Sequence, residues 1–225
     1  NFLRNCQIFK INVNTKEIVK QLDMPSPFGD IVITAAGGAW VTSDDHIILT
    51  GEWTDINWSI RRAFAAKLNK NLDIIWINYF NNIQATGGGF IGQGVTESTS
   101  GGYLIYMSQA YEYTDSTIEI GTHLWQLDTS GNLISNNALP DTLLLNGGYG
   151  NITPTDDGNF FVSSKAKSNA FTMYEKYLLY KIDEDANVIW STSTDSLGWD
   201  RQVGYSTSLP GGGGAVMWLN ETPDS

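Results

Sequence analysis

The chain has 225 residues, 41% of them hydrophobic and 16% charged, and a formal net charge of -11. With 13 basic residues against 24 acidic ones, it lacks the clustered Lys and Arg that phosphate contacts require, so nucleic acid is not an expected partner. No apolar run approaches the ~20 residues of a membrane helix, so no membrane insertion is expected, and the single Cys6 rules out an internal disulfide.

The first element is a hairpin within residues 1–24. Its pattern is apolar, variable, Ile or Leu, Asn or Asp, a short polar turn, then two apolar residues. The same pattern returns at residues 65–76, 124–135 and 178–190, so the chain writes one β-hairpin four times. The residues before the turn, Ile11, Leu68, Leu127 and Ile182, are 57, 59 and 55 positions apart. The glycines Gly38, Gly94, Gly150 and Gly204 open a strand at steps of 56, 56 and 54. The apolar positions Ile47, Leu104, Phe160 and Val216 recur at steps of 57, 56 and 56. Three landmarks with one period define a repeat of about 56 residues.

Each unit reads as a Gly-rich turn and short strand, an Asp/Gly turn, a second strand, a longer variable connection, and the closing hairpin. The expectation is therefore an all-β fold, a β-propeller of four-stranded antiparallel blades. Residues 36–80, 92–138 and 148–194 are the complete blades. Residues 1–24 supply the closing hairpin of a split blade, and 202–220 its opening strands. Joined, they would make a fourth blade and leave no exposed sheet edge. The alternative is an arc of a larger propeller. The chain starts at Asn1 without a basic-then-apolar leader, which reads as a mature product or a piece of something longer. Residues 60–72 have apolar spacing that would also suit a helix, but the equivalent stretches, rich in Thr, Tyr and Asp, would not. The repeat favours a strand.

The motif Asp157-Gly158-Asn159-Phe160-Phe161, with Tyr180-Lys181-Ile182-Asp183 and Asn187-Val188-Ile189-Trp190, resembles the propeller repeats of large secreted bacterial proteins of surface and gliding-associated type. It is more loosely similar to quinoprotein dehydrogenase blades. The closing Trp stands at Trp76 and Trp190 but is replaced by Ser135 and Lys20 in the other copies. The vicinal cysteines of a quinoprotein cannot exist with Cys6 alone.

The variable connections carry aromatics beside polar groups: Trp53, Asp55, Trp58 and Arg61 in the first, Tyr111, Tyr113 and Asp115 in the second, Tyr174 and Tyr177 in the third. Such rings with nearby carboxylates suit a sugar or peptide site, and aromatics also anchor protein interfaces. The same rings would serve equally to pack between blades. The turn with Asp183, Asp185 and Asn187 places oxygens at alternate positions, as in a Ca²⁺ loop, although the downstream bidentate Glu of an EF-hand is missing. Asp and Asn are also ordinary hairpin-turn residues. No other cofactor is expected. His46 and His123 fall in different repeats and have no evident catalytic partners. The reading from sequence is a non-catalytic extracellular or cell-surface module that presents loops to a protein or glycan, within a larger polypeptide or complex. The alternative is a propeller enzyme, a hydrolase or quinoprotein-like dehydrogenase, with its site at the ring axis.

Overall fold

The computed structural model describes residues 6–25, 31–55, 61–80, 88–111, 122–139, 148–167, 175–193, 205–209 and 213–217. All regular structure among them is β. A hairpin of β1 (Gln7–Ile11) and β2 (Ile18–Asp23) comes first. Blade I follows, with β3 (Ile31–Val41), β4 (Ile47–Asp55), β5 (Arg61–Leu68) and β6 (Ile74–Tyr79). Blade II holds β7 (Gly88–Glu97), β8 (Tyr103–Tyr111), β9 (Thr122–Leu127) and β10 (Leu133–Ala138). Blade III holds β11 (Gly148–Pro154), β12 (Phe160–Lys167), β13 (Glu175–Ile182) and β14 (Val188–Ser193). A hairpin of β15 (Tyr205–Leu209) and β16 (Gly213–Met217) ends the series.

Each blade is an antiparallel meander in which sequence neighbours pair, and the three blades stack in chain order. This is the β-propeller architecture that the repeat predicts. The helical option for residues 60–72 is displaced by β5, which pairs with both β4 and β6. Ala63, Phe64, Ala65, Ala66 and Leu68 are all buried there, on two faces at once, which a strand between two blades allows and a surface helix does not.

The ladders refine the repeat. Ile47 pairs with Leu68, Tyr103 with Leu127 and Phe160 with Ile182, so Tyr103, not Leu104, is the second-strand equivalent. The inner strands are bulged at matching places, between Ala36 and Gly38, Gly92 and Gly94, and Gly148 and Asn151. Asn151 therefore stands where Gly38 and Gly94 do, one residue past Gly150.

Three apolar layers hold the stack. Ile8, Leu22 and Met24 of the first hairpin pack on Leu49, Phe64, Ala66 and Leu68 of blade I. Ile48, Ala63 and Ala65 of blade I meet Val95, Tyr103, Ile105, Trp125 and Leu127 of blade II. Leu104, Tyr106 and Leu124 of blade II meet Ile152, Phe160, Val162, Tyr180 and Ile182 of blade III. Alternation along each strand sends neighbouring side chains into successive layers. Full burial of residues such as Leu68, Leu127 and Ile182 contributes roughly 2 kcal/mol each.

The inner strands approach one another backbone to backbone. A Cβ on Gly38 would lie 2.8 Å from the Cα of Gly94, and one on Gly94 would lie 2.8 Å from the amide N of Ile152. The periodic glycines are therefore a packing requirement between blades, as crowding toward the ring axis implies.

The expected fourth blade is not assembled among the described residues. Hairpin β1–β2 and hairpin β15–β16 are separate two-stranded sheets. The first lies on blade I, and the second contacts β11 and β12 of blade III.

Candidate functional site

A meander places its turns alternately at two ends. Here the five-residue turns 42–46, 69–73, 98–102, 128–132, 155–159 and 183–187 fall at one end with the β1–β2 turn, and the strands that flank the variable connections end at the other. At the tight-turn end the Asp/Asn spacing has a structural cause. Asp183 Oδ1 accepts from the amides of Asp185 at 3.0 Å and Asn187 at 2.8 Å, and its Oδ2 accepts from Asn187 Nδ2 at 2.8 Å. Asp128 does the same with Ser130 and Asn132, while Asn69 Oδ1 accepts from the amides of Asn71 and Asp73 and its Nδ2 donates to Asp73 Oδ2 at 3.0 Å. Each turn then needs one left-handed residue, supplied by Lys16, Leu72, Gly131 and Ala186. The proposed calcium ligands Asp183, Asp185 and Asn187 thus form a self-satisfied turn. Among the described residues, no three His, Cys, Asp or Glu side chains converge to hold a metal.

The first turn of each blade is built differently. Thr42 Oγ1 donates to Asp44 Oδ1 at 2.5 Å, and Lys67 Nζ sits 2.9 Å from Asp44 Oδ2. Blade III repeats this with Thr155, Asp157 and Lys181. The Thr42 hydroxyl, and then Lys67, hold the Asp44 carboxyl well below the usual range. Lys181, and then Thr155, do so for Asp157. The Lys67 ammonium also lies over the Tyr103 ring, and that of Lys181 over the Phe161 ring.

Successive turns are laced together. The Glu97 carboxylate accepts from the Ser43 amide at 2.7 Å and its hydroxyl at 3.0 Å. Glu184 reaches from blade III to blade II, where it accepts from Ser98, from Thr99 Oγ1 at 3.0 Å and from the Ser100 amide at 3.1 Å. Burial raises the Glu184 carboxyl, but these donors outweigh it and leave it below its ordinary value. This end is closed by internal bonding.

Of the partner residues singled out from sequence, Trp53, Asp55, Arg61, Tyr111 and Tyr177 lie on strands at the long-loop end. Its strands run further than expected: β4 continues to Asp55 and β8 to Tyr111, and β13 already starts at Glu175. The sequence stretches read as connections are therefore partly ladder. Asp55 pairs with Ile31, Arg61 with Thr54, Tyr111 with Gly88 and Tyr177 with Lys165. Trp58, Tyr113, Asp115 and Tyr174 lie outside the described residues.

Trp53 requires a correction. It is only 4% exposed and packs edge-on against Tyr79 with ring centroids 6.4 Å apart, in the layer under the first hairpin. The alternation Leu49, Gly51, Trp53 aims it at that layer, so its role is packing.

The opposite alternation was missed from sequence. Thr50, Glu52 and Thr54 form a buried polar stripe on the face of β4 toward β7. Polar residues at every second place in Thr50-Gly51-Glu52-Trp53-Thr54 were the legible signal. Ser108 is the blade II equivalent of Glu52 by ladder position, and it accepts from Gln93 Nε2, in the β7 bulge, at 2.9 Å. Tyr106 and Ser164 join hydroxyls at 2.6 Å across blades II and III. His123 Nδ1 lies 2.8 Å from Asn136 Oδ1, with the Phe90 ring edge-on at 4.9 Å. Burial lowers the His123 pKa, only partly offset by Asn136, so the imidazole is neutral at pH 7.

No protein-family model matches the chain, and no curated protein matches it. Among solved structures it is similar to an exo-1,5-alpha-L-arabinanase from a bovine ruminal metagenomic library, at 11% identity and a TM-score of 0.49. The likeness covers 82% of this chain and 66% of that one, so the chain spans just under two thirds of that protein's length.

Proposed function

We propose that the long-loop end is a recognition face for a protein or glycan partner, and that the chain is a non-catalytic binding or scaffold module working outside the cell or at its surface. The observation that carries this reading is the asymmetry of the two ends. One is built of turns that are hydrogen-bonded within the chain, while the strands that flank the variable, aromatic-bearing connections end at the other. Loops on a rigid scaffold are where binding residues concentrate. Trp58, Tyr113 and Tyr174 are the aromatic anchors of the proposed face, with Asp55, Arg61, Tyr111, Asp115 and Tyr177 at its rim.

The test is a glycan array followed by calorimetry on any hit, using the wild type and a triple Trp58→Ala, Tyr113→Ala, Tyr174→Ala variant. The expected result is a loss of about 10-fold or more in affinity without loss of fold. Unchanged binding would remove the proposed face. A second reading, a propeller hydrolase, draws on the buried Glu52 carboxylate. Reducing ends released from a polysaccharide by the wild type but not by Glu52→Gln would favour it over the binding module.

A further inference from the structure

Every blade-to-blade contact has a leading face and a trailing face. The leading face of a closing hairpin meets the blade before it. Ala66 and Leu68 do this for blade I, Trp125 and Leu127 for blade II, and Tyr180 and Ile182 for blade III. Their exposures are 0% and 0%, 0% and 0%, and 4% and 0%. The equivalent residues of hairpin β1–β2 are Phe9 and Ile11, and these are 43% and 56% exposed. Ile18, at the place of half-buried Ile74, Leu133 and Val188, is 60% exposed. An interface that the repeat builds three times is thus formed on one side here, with no described residue packed against it.

The matching half is at the other end of the same chain. The trailing face of each closing hairpin hydrogen-bonds to the closing turn of the next blade. Lys10 Nζ donates to the Lys70 carbonyl at 3.0 Å, and Lys20 pairs with Asp73 at 2.6 Å. Trp76 Nε1 donates to the Thr129 carbonyl at 3.1 Å, and Asn78 Nδ2 to the Gly131 carbonyl at 2.7 Å. Asn137 Nδ2 donates to the Asp185 carbonyl at 3.2 Å. Trp190 is the blade III equivalent of Trp76, and it is 41% exposed. The carbonyl equivalent to that of Thr129 belongs to Val13, itself exposed in the β1–β2 turn. The two hairpins also complement each other as sheets. β15–β16 has the place of strands one and two of a blade, β1–β2 that of strands three and four, and each remains a two-stranded sheet.

We propose that a second copy of this chain docks head to tail, setting its β1–β2 hairpin on the β13–β14 face of the first and pairing its β1 with the first copy's β16. The result is one composite blade, β15–β16 from one molecule and β1–β2 from the other. Phe9, Ile11 and Ile18 become buried, and Trp190 gains the Val13 carbonyl. Such a contact is heterologous: it joins two different patches, so it propagates or closes into a ring according to the rotation between copies. It also covers two free strand edges. This inference is independent of the proposed function at the loop end.

The test uses the whole chain in sedimentation velocity over a wide concentration range. The wild type is expected to associate. Phe9→Asp/Ile11→Asp and Trp190→Glu change exposed residues, and each is expected to weaken self-association about 10-fold or more. Mixed together they should form a one-to-one dimer, because each keeps the half that the other lost; this mixing also shows that both are folded. In a Cys6→Ser background, Val13→Cys/Trp190→Cys should oxidise to a species of two or more chains. A wild-type monomer at all concentrations would overturn the proposal and leave a further blade of the same repeat as the occupant. A disulfide within one chain would overturn it in favour of closure by the chain's own two hairpins.

Discussion

Gly94→Ala tests whether blade stacking depends on backbone contact. A Cβ at Gly94 would meet the Ile152 amide N at 2.8 Å, Asn151 Oδ1 at 2.9 Å and the Asn151 Cα at 3.0 Å. Ordinary contact begins at 3.4 Å, so β7 and β11 would have to separate by about 0.6 Å. Two of the three neighbours are backbone and cannot rotate away. Over-packing of this kind costs about 1–3 kcal/mol, and the shift also thins the dispersion contacts of the blade II–III layer. For a chain of this size, ~1 kcal/mol moves the midpoint by roughly 2–4 °C, so the expected loss is about 2–12 °C. Calorimetry with urea denaturation measures it. Gly101→Ala is the control. Its φ is +94° with nothing within 4 Å of a Cβ, so only local strain of about 1 kcal/mol applies. If Gly94→Ala stays within about 0.5 kcal/mol of wild type, the spacing of the inner strands is not what the periodic glycines secure.

Trp53→Ala should cost about 3–5 kcal/mol by leaving a cavity against Tyr79 and Phe64, whereas Trp58→Ala should leave the melting temperature nearly unchanged; denaturant melts separate the two. Asp44 and Asp157 have folded pKa values depressed below their ordinary 3.8, so their contribution is complete above that pH and is lost as pH falls below it. Asp44→Asn/Asp157→Asn should therefore flatten the acid limb of stability below about pH 4, and an unchanged acid limb in melts from neutral to acid pH would refute this. Asp183→Ala removes three acceptor contacts in one turn and should cost about 1 kcal/mol in metal-free buffer. A calcium ion taken there would have to displace those bonds, and would show as a calcium-dependent rise in melting temperature that the same variant abolishes.

The repeat was legible because its strongest signals are local. An Asx turn needs Asp or Asn at one place and a left-handed residue soon after, and the flanking Ile or Leu must be apolar because it enters a layer. Those demands fall within a dozen residues, so they survive in Ile11–Ile18, Leu68–Ile74, Leu127–Leu133 and Ile182–Val188 alike. The second-strand register was harder to read. Tyr103 and Leu104 are both fully buried, each in a different layer, so apolar character alone does not say which one faces Leu127. Strand ends were misjudged for a related reason. Glu52 and Trp53 look like loop residues because one is charged and the other large, yet both are buried in β4. A strand with a blade on each side has no solvent face, and so hides the polar signal that usually marks where a strand stops.

The same physics explains why the sequence suggests a partner face without specifying its ligand. At the tight-turn end the turn carboxylates and amides answer to partners in the chain, so residue choice is constrained and the pattern repeats. Ser98, Thr99 and Ser100 are matched to Glu184, and Ser43 is matched to Glu97. At the other end the ladder's demands stop at Asp55, Tyr111 and Lys167, and the segments beyond share no pattern from blade to blade. Loss of periodicity is what a surface looks like when folding no longer dictates its residues. Hairpin β1–β2 reverses that logic: it keeps the full apolar pattern of a packed element in Phe9, Ile11 and Ile18 while standing at an open face. A surface of that kind reports a demand that no neighbour among the described residues meets. The exposed Trp190 face is the surface on which the proposed second copy would meet it.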